Sequence, residues 1–301
     1  MKSRRFLLLI FTSVASMGIF AQTEFPDTCN GSPIPYAAIE VKRPIDSTCG
    51  IKGKPTASRS SQVQNEVKNN LCAGADGSAP QDITVQWLVD LQARTTVPSG
   101  QGKEPTDRSA LKELGEGKLV RIKAYLDEAH FADLGSGETV NCNGATEALN
   151  DIHMALLANP DAQECESVSA EILPHYRPDS WNQIGQDESW NSKTKLYTSN
   201  PGVDARLKSH PYRITGQLFF DASHEVCSCA KKCSPIRASG WEIHPVYSIE
   251  VCKAGTTCDQ ASDSDWLAFD KWWNSLTPLK PPKKPHSHAN HETPTKAGGA
   301  N

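Results

Sequence analysis

Lys118-Leu-Val-Arg-Ile-Lys-Ala-Tyr-Leu126 alternates strictly between apolar and polar positions. Val120, Ile122, Ala124 and Leu126 fall on one face, and Arg121, Lys123 and Tyr125 on the other, the period of a strand with one buried side. The pattern returns four times. Asp151-Ile-His-Met-Ala-Leu-Leu157 sets Ile152, Met154 and Leu156 against Asp151 and His153, and Ser167-Val-Ser-Ala-Glu-Ile-Leu173 sets Val168, Ala170 and Ile172 against Glu171. Tyr212–Phe220 aligns Tyr212, Ile214, Leu218 and Phe220, and Trp241–Val251 aligns Trp241, Ile243, Tyr247, Ile249 and Val251. Three strands, a long connection over Pro174–His210 with a short helix at Val203–Lys208, and two more strands follow the order of a five-stranded OB-type Greek-key barrel. An open sandwich is the alternative. Gly216 marks a bend at a barrel corner, and Pro245, which lacks an N–H, marks a bulge or an edge.

The rest of the chain is organised around this barrel, placed at residues 117–253. Residues 22–116 read as an irregular, disulfide-containing segment with one convincing element, Asp82–Leu91, whose apolar residues suit either a strand or a helix face. Thr95–Arg108 reads as a loop broken by Pro98 and Gly102. Residues 254–277 hold a C-terminal helix over Ser264–Leu276, where Trp266, Phe269, Trp272 and Leu276 recur at helical steps. The chain is thus mainly β. Residues 278–301, rich in Pro, Lys and His, read as a disordered tail whose His286, His288 and His291 are weak metal ligands at most.

Residues 1–21 read as a signal peptide: Lys2, Arg4 and Arg5 precede an apolar run from Phe6 to Ala21, too short for a comfortable span. An uncleaved anchor is the alternative; after cleavage no transmembrane segment is expected. All ten cysteines follow that run: Cys29, Cys49, Cys72, Cys142, Cys165, Cys227, Cys229, Cys233, Cys252 and Cys258. An even count in an exported chain reads as disulfides, with the pairing left open. Cys227-Ser-Cys229-Ala-Lys-Lys-Cys233 offers thiolates to a metal instead, but lacks the paired C-x2-C knuckles of structural zinc.

Formal net charge is −4. Removing the basic leader and setting aside the lysine-rich tail leaves a more acidic middle, which disfavours nucleic acid as a partner. No G-x-S-x-G, Walker A or G-x-G-x-x-G fingerprint is present.

The polar face carries the candidate site, with Lys123, Tyr125 and Gln217 nearby. Asp151 and His153, and likewise Glu242 and His244, stand at i and i+2 on one side of a strand, about 6–7 Å apart. A carboxylate beside an imidazole is the raw material of a divalent metal site or of acid–base chemistry. Glu171 lies between the two pairs, so His153, Glu171 and His244 are the candidate metal ligands. Strands two and five are separated by roughly 10 Å, so one pair together with Glu171 is the set expected to share an ion. The plainer role for these histidines is a hydrogen bond that fixes a loop or satisfies backbone groups at the bulge. Asp221-Ala-Ser-His224 holds an acid, a hydroxyl and an imidazole, but at a strand end, where a side-chain-stabilised turn accounts for it.

Asn141-Cys142, Asp151-Ile152-His153, Gly216-Gln-Leu218-Phe-Phe-Asp221 and Trp241-Glu-Ile-His-Pro-Val246 together resemble a group of uncharacterised bacterial exported proteins. These share an OB-like domain with N-C, D-x-H, G-x-L-x-x-D and W-E-I-H-P-V motifs. The resemblance covers about Gly117–Val251 and implies a common domain, with no reaction attached. The sequence therefore points to a periplasmic or extracellular OB-like module that binds a partner protein or a polymer such as a polysaccharide. A metal-dependent, phosphodiesterase-like hydrolase using the Asp/His/Glu face is the alternative. A purely structural envelope protein is the third.

Overall fold

The computed structural model describes residues 24–39, 43–132, 134–186, 188–191, 196–199, 205–208, 210–227, 229, 236–253, 255 and 257–277. The leader at 1–21 and the tail at 278–301 lie outside the described residues, as do Val203 and Asp204 of the short helix; residues 205–207 are helical.

The five strands are β1 Leu119–Phe131, β2 Ile152–Leu157, β3 Val168–Ile172, β4 Pro211–Phe220 and β5 Trp241–Cys252. Antiparallel ladders join β1 to β2, β2 to β3, β4 to β5, and β4 back to β1. A parallel bridge from Ile243 to Ala170 closes the ring between β5 and β3. The circuit β1-β2-β3-β5-β4 is a closed barrel, and its order is consistent with the OB type. Val120, Ile122, Ile152, Leu156, Val168, Ile172, Ile214, Leu218 and Ile243 fill its interior as the alternation dictates.

β5 departs from simple alternation. Its register against β4 slips between Ile243 and Val246 and again between Val246 and Ser248. Each slip adds a residue to β5 and turns the following side chains to the other face. Val246 therefore joins the interior, while Tyr247 leaves it for a second cluster with Cys29, Leu71 and Tyr176 on the outer side. The unbroken pattern expected over Trp241–Val251 had Tyr247 inside. Gly216 sits opposite this slip, where a Cβ would collide with the Pro245 carbonyl oxygen and lie 2.5 Å from the Ile243 side chain.

The N-terminal segment contains three helices between its turns: α1 Arg59–Lys68, α2 Val85–Ala93 and α3 Ser109–Leu114. The ambiguous Asp82–Leu91 stretch contains both elements. Gln81–Ile83 pairs parallel to β1, and Thr84 then caps α2 by accepting from the Trp87 N–H at 3.0 Å. Val85, Leu88 and Leu91 pack into the barrel's apolar cluster. Ser239 Oγ donates to the Leu88 carbonyl at 3.0 Å, and the Trp241 indole donates to Thr95 Oγ1 at 2.7 Å. The C-terminal helix α4, Phe269–Ser275, also joins the cluster through Phe269 and Trp272. It is shorter than the sequence suggests because Trp266–Ala268 is drawn into a strand antiparallel to β5.

α1 is built differently. Its buried residues are Gln64, Asn65 and Lys68, with no apolar stripe. It lies over the outer surface of the barrel, tied by Gln64 Nε2 to Asp221 Oδ1 at 3.2 Å and by the Val67 carbonyl accepting from Gln217 Nε2 at 2.8 Å.

Disulfides join Cys29 to Cys72, Cys49 to Cys142, Cys165 to Cys229, and Cys252 to Cys258. Cys227 is also disulfide-bonded, and no described cysteine is free. Cys233 lies outside the described residues. The thiolate site considered for Cys227–Cys233 therefore loses two of its three ligands. Cys49–Cys142 fastens the N-terminal segment to the β1–β2 connection.

Gly216→Ala tests the close approach between β4 and β5. The added methyl meets backbone that has no room to move, and the expected cost is about 1–3 kcal/mol in chemical denaturation.

Candidate metal centre

The register lines up one band of polar side chains across the strands. His130 pairs with His153 and His153 with Glu171, while Ile243 faces both Ala170 and Leu218. His244 thus follows Glu171, and Gln217 follows His244. His153, Glu171, His244 and Gln217 are outward-facing residues that the sequence picks out and His130 is one it does not, but most of the band does not meet solvent. α1 lies over its Glu171 and Gln217 part, and Asp151, Glu171, Glu242 and His244 are buried. The His153 side chain is 27% exposed and the neighbouring Glu138 22%, but His153 Nε2 and Glu138 Oε2 are themselves buried. Lys123, from the neighbouring part of β1, stands instead over the Trp266 ring at 5.8 Å.

The covered end of the band balances its own charge. Arg237 reaches Glu242 Oε2 at 2.7 Å and Asp221 Oδ2 at 2.8 Å. His244 Nδ1 lies 2.7 Å from Glu171 Oε2 and 3.3 Å from Glu242 Oε1. Burial opposes a charge on His244, but the Glu171 carboxylate outweighs it and holds the imidazole up to about 9. Burial also works against the Asp221 carboxylate, which the Arg237 guanidinium holds well below the usual range. Lys68 adds an ammonium 3.5 Å from Glu171 Oε2. Glu171, pressed upward by burial, is brought well down by His153, Lys68 and His244.

At the open end three carboxylates face the His153 imidazole; burial opposes a charge on that ring, and Glu171, Glu138 and Asp151 favour one, raising its pKa above the ordinary value. Glu138, Asp151, His153 and Glu171 each present a ligand atom within 4.8 Å of the others. His153 Nε2 is 3.5 Å from Glu171 Oε1 and 3.7 Å from Glu138 Oε1. Asp151 is completely buried, and neither of its carboxylate oxygens has a hydrogen-bond partner; buried Glu138 Oε2 has none either. Burial, with Glu138 adding to it, pushes the Asp151 carboxyl up to about 6. His153 and His244 fall in separate groups on either side of Glu171. His153 and His244 therefore do not fall in one group of candidate ligands; Glu138 and Asp151 stand with His153 and Glu171 instead.

Glu138 belongs to the β1–β2 connection and carries no spacing signal that relates it to the strands. Its position is set by neighbours in the loop. Lys54 N–H donates to the Thr139 carbonyl at 2.7 Å, Asn65 Nδ2 reaches Thr139 Oγ1 at 3.4 Å, and Cys142 is bonded to Cys49.

Asp221, Ser223 and His224 form a turn rather than a nucleophile. Ser223 Oγ donates to Asp221 Oδ1 at 2.5 Å, and His224 Nδ1 lies 2.6 Å from Asp221 Oδ2, so both engage the same carboxylate. A cavity of about 380 Å³ lies elsewhere, beneath the N-terminal segment, lined by Phe25, Ile34, Ile39, Leu71, Arg43 and His175. No residue of the band lines it. No family model, curated protein or solved structure matches the chain.

Two measurements probe these networks. Arg237→Met leaves Asp221 and Glu242 buried without their guanidinium, and the expected loss is about 3–5 kcal/mol in denaturant unfolding. His175 provides a pH test: burial lowers its affinity for a proton, outweighing Asp46, whose Oδ1 is 2.7 Å away. The unfolded chain takes up that proton near pH 6.5 and the folded chain only at lower pH. Its contribution is therefore present above pH 6.5 and declines as pH falls through the folded value. His175→Gln should make the decline in stability shallower over that range.

Proposed function

We propose that the chain is an exported, disulfide-braced barrel that binds a divalent metal ion through Glu138, Asp151, His153 and Glu171. The observation that carries this reading is Asp151, fully buried with both oxygens unpartnered and with two more carboxylates and an imidazole alongside. An ionised carboxylate in such a place costs several kcal/mol unless a cation or a proton meets it. Lys68 and the His244 imidazole already meet Glu171, Arg177 acts on Asp151 without a hydrogen bond to it, and a divalent ion would meet the remaining charge of Glu138 and Asp151 with His153 as a neutral ligand. The companion group, Glu171 with Glu242 and His244, is already compensated by Arg237 and Lys68 and has no such need.

The cover formed by α1 bears on the other readings. A polymer laid across β3 and β4 would have to displace a helix ion-paired to Glu171 and hydrogen-bonded to Gln217 and Asp221. Metal binding is thus the activity that this geometry favours, with a partner protein or polysaccharide left to other surfaces. Export rests on the leader and on the disulfides, and implies cleavage after Ala21.

The test is elemental analysis of protein purified from an oxidising compartment, with His286, His288 and His291 replaced by alanine so that the tail does not scavenge metal. The expected result is about one equivalent of a divalent ion, lost in Asp151→Asn and retained in Glu242→Gln. A metal-free protein that also takes up no ion on dialysis against metal salts would sink the proposal.

A further inference from the structure

We propose that the cavity beneath the N-terminal segment is a second site, independent of the metal reading, that takes a small organic cation with an apolar body. An alkyl- or arylammonium would lay its body against Phe25, Ile34, Ile39 and Leu71 and its charged head between Glu24 and Asp27. The site is built by the turns that open the described chain. Thr28–Cys29 pairs antiparallel with Ser32–Pro33, and the Cys29–Cys72 bond ties this turn to the stretch that follows α1. The space beneath it is about 380 Å³, within the range of small-molecule sites. Ile34 and Leu71 are buried in its wall, whereas Glu24 and Asp27 are exposed. The lining therefore runs from an apolar interior to an acidic mouth.

The other polar groups fix the sign of the ligand. Arg43 is the one cationic side chain of the lining, and its Nη1 is held by Asp179 Oδ1 at 2.6 Å. Asp46 is spent within the wall: Oδ2 accepts from the Arg43 N–H at 2.8 Å, and Oδ1 lies 2.7 Å from His175 Nδ1. That contact places the His175 proton on Nδ1, and burial keeps the ring from taking a second. Its Nε2 is then an acceptor, buried and without a partner, with the Phe25 ring stacked on the imidazole at 3.7 Å. Arg43 Nε is a buried donor in the same position. Glu24 and Asp27 make no ion pair or hydrogen bond among the described residues. Three carboxylates against one guanidinium leave the lining with surplus negative charge, which an ammonium head answers and a carboxylate head would worsen.

Calorimetric titration of the full-length chain with n-alkylammonium ions tests the site. Hexylammonium should bind at about one equivalent, and each methylene removed along the series should weaken it about fourfold. Hexanoate should bind at least about tenfold more weakly. Glu24→Gln together with Asp27→Asn changes two exposed residues without partners, so the fold is kept while hexylammonium binding weakens severalfold and loses salt dependence. Ile34→Trp, with its fold checked by circular dichroism, should fill the interior and abolish binding. Hexanoate bound as tightly as hexylammonium would overturn the choice of a cation and give the head to Arg43. Unchanged binding in the Glu24 and Asp27 variant would overturn the placement of the head. Unchanged binding in folded Ile34→Trp would put the ligand outside the cavity, and no binding by any member of the series would remove the site.

Discussion

The Glu171 carboxylate is the point on which this arrangement turns. One oxygen is fixed by the His244 imidazole and the Lys68 ammonium, and the other faces His153. β2, β3, β5 and α1 therefore meet at one side chain. A carboxylate buried this deeply is tolerable only because two cations reach it, and its fixed orientation decides which oxygen remains for anything further. The polar underside of α1 follows from the same constraint. A helix with an ordinary apolar stripe would leave Glu171, Glu242 and Asp221 without the Lys68 and Gln64 groups that meet them.

How much was legible in the sequence follows from the same physics. Alternation located all five barrel strands because each has one face in an apolar interior, and it identified Asp151, His153, Glu171, Glu242 and His244 as outward-pointing. It could not show that the outward face is covered. Helix signals rest on apolar periodicity, and Arg59–Lys68 buries Gln64, Asn65 and Lys68, so α1 gave no such signal. Tyr247 was misplaced because two bulges shift the pleat within a single strand, and Pro245 announces a disturbance there without giving its size. Glu138 was out of reach. Its relation to Asp151 exists only through a loop path that Cys49–Cys142 and the Thr139 contacts define.

The structure also separates two kinds of buried charge that look alike in sequence. Asp221 and Glu242 meet a guanidinium supplied by the chain itself, and their role is to hold the β4–β5 connection and α1 to the barrel. Asp151 has no hydrogen-bonded cation: Arg177, the guanidinium that acts on it, gives its hydrogen bonds to Asn182 and to the Asn150 and Glu147 carbonyls. The difference lies in the partner each carboxylate finds, not in its depth or its residue type. For that reason a motif such as D-x-H or W-E-I-H does not by itself tell a brace from a binding site.

The Cys49–Cys142 bond has a consequence for timing. It is one of the ties, with the Lys54 and Asn65 contacts to Thr139, that hold the connection bearing Glu138 to the segment around α1. On the metal reading proposed above, oxidation of those two thiols would complete the loop that brings Glu138 to Asp151, His153 and Glu171, and metal uptake would follow it. The ion would then be drawn from the surroundings in which the disulfides form, not from those in which the chain is synthesised.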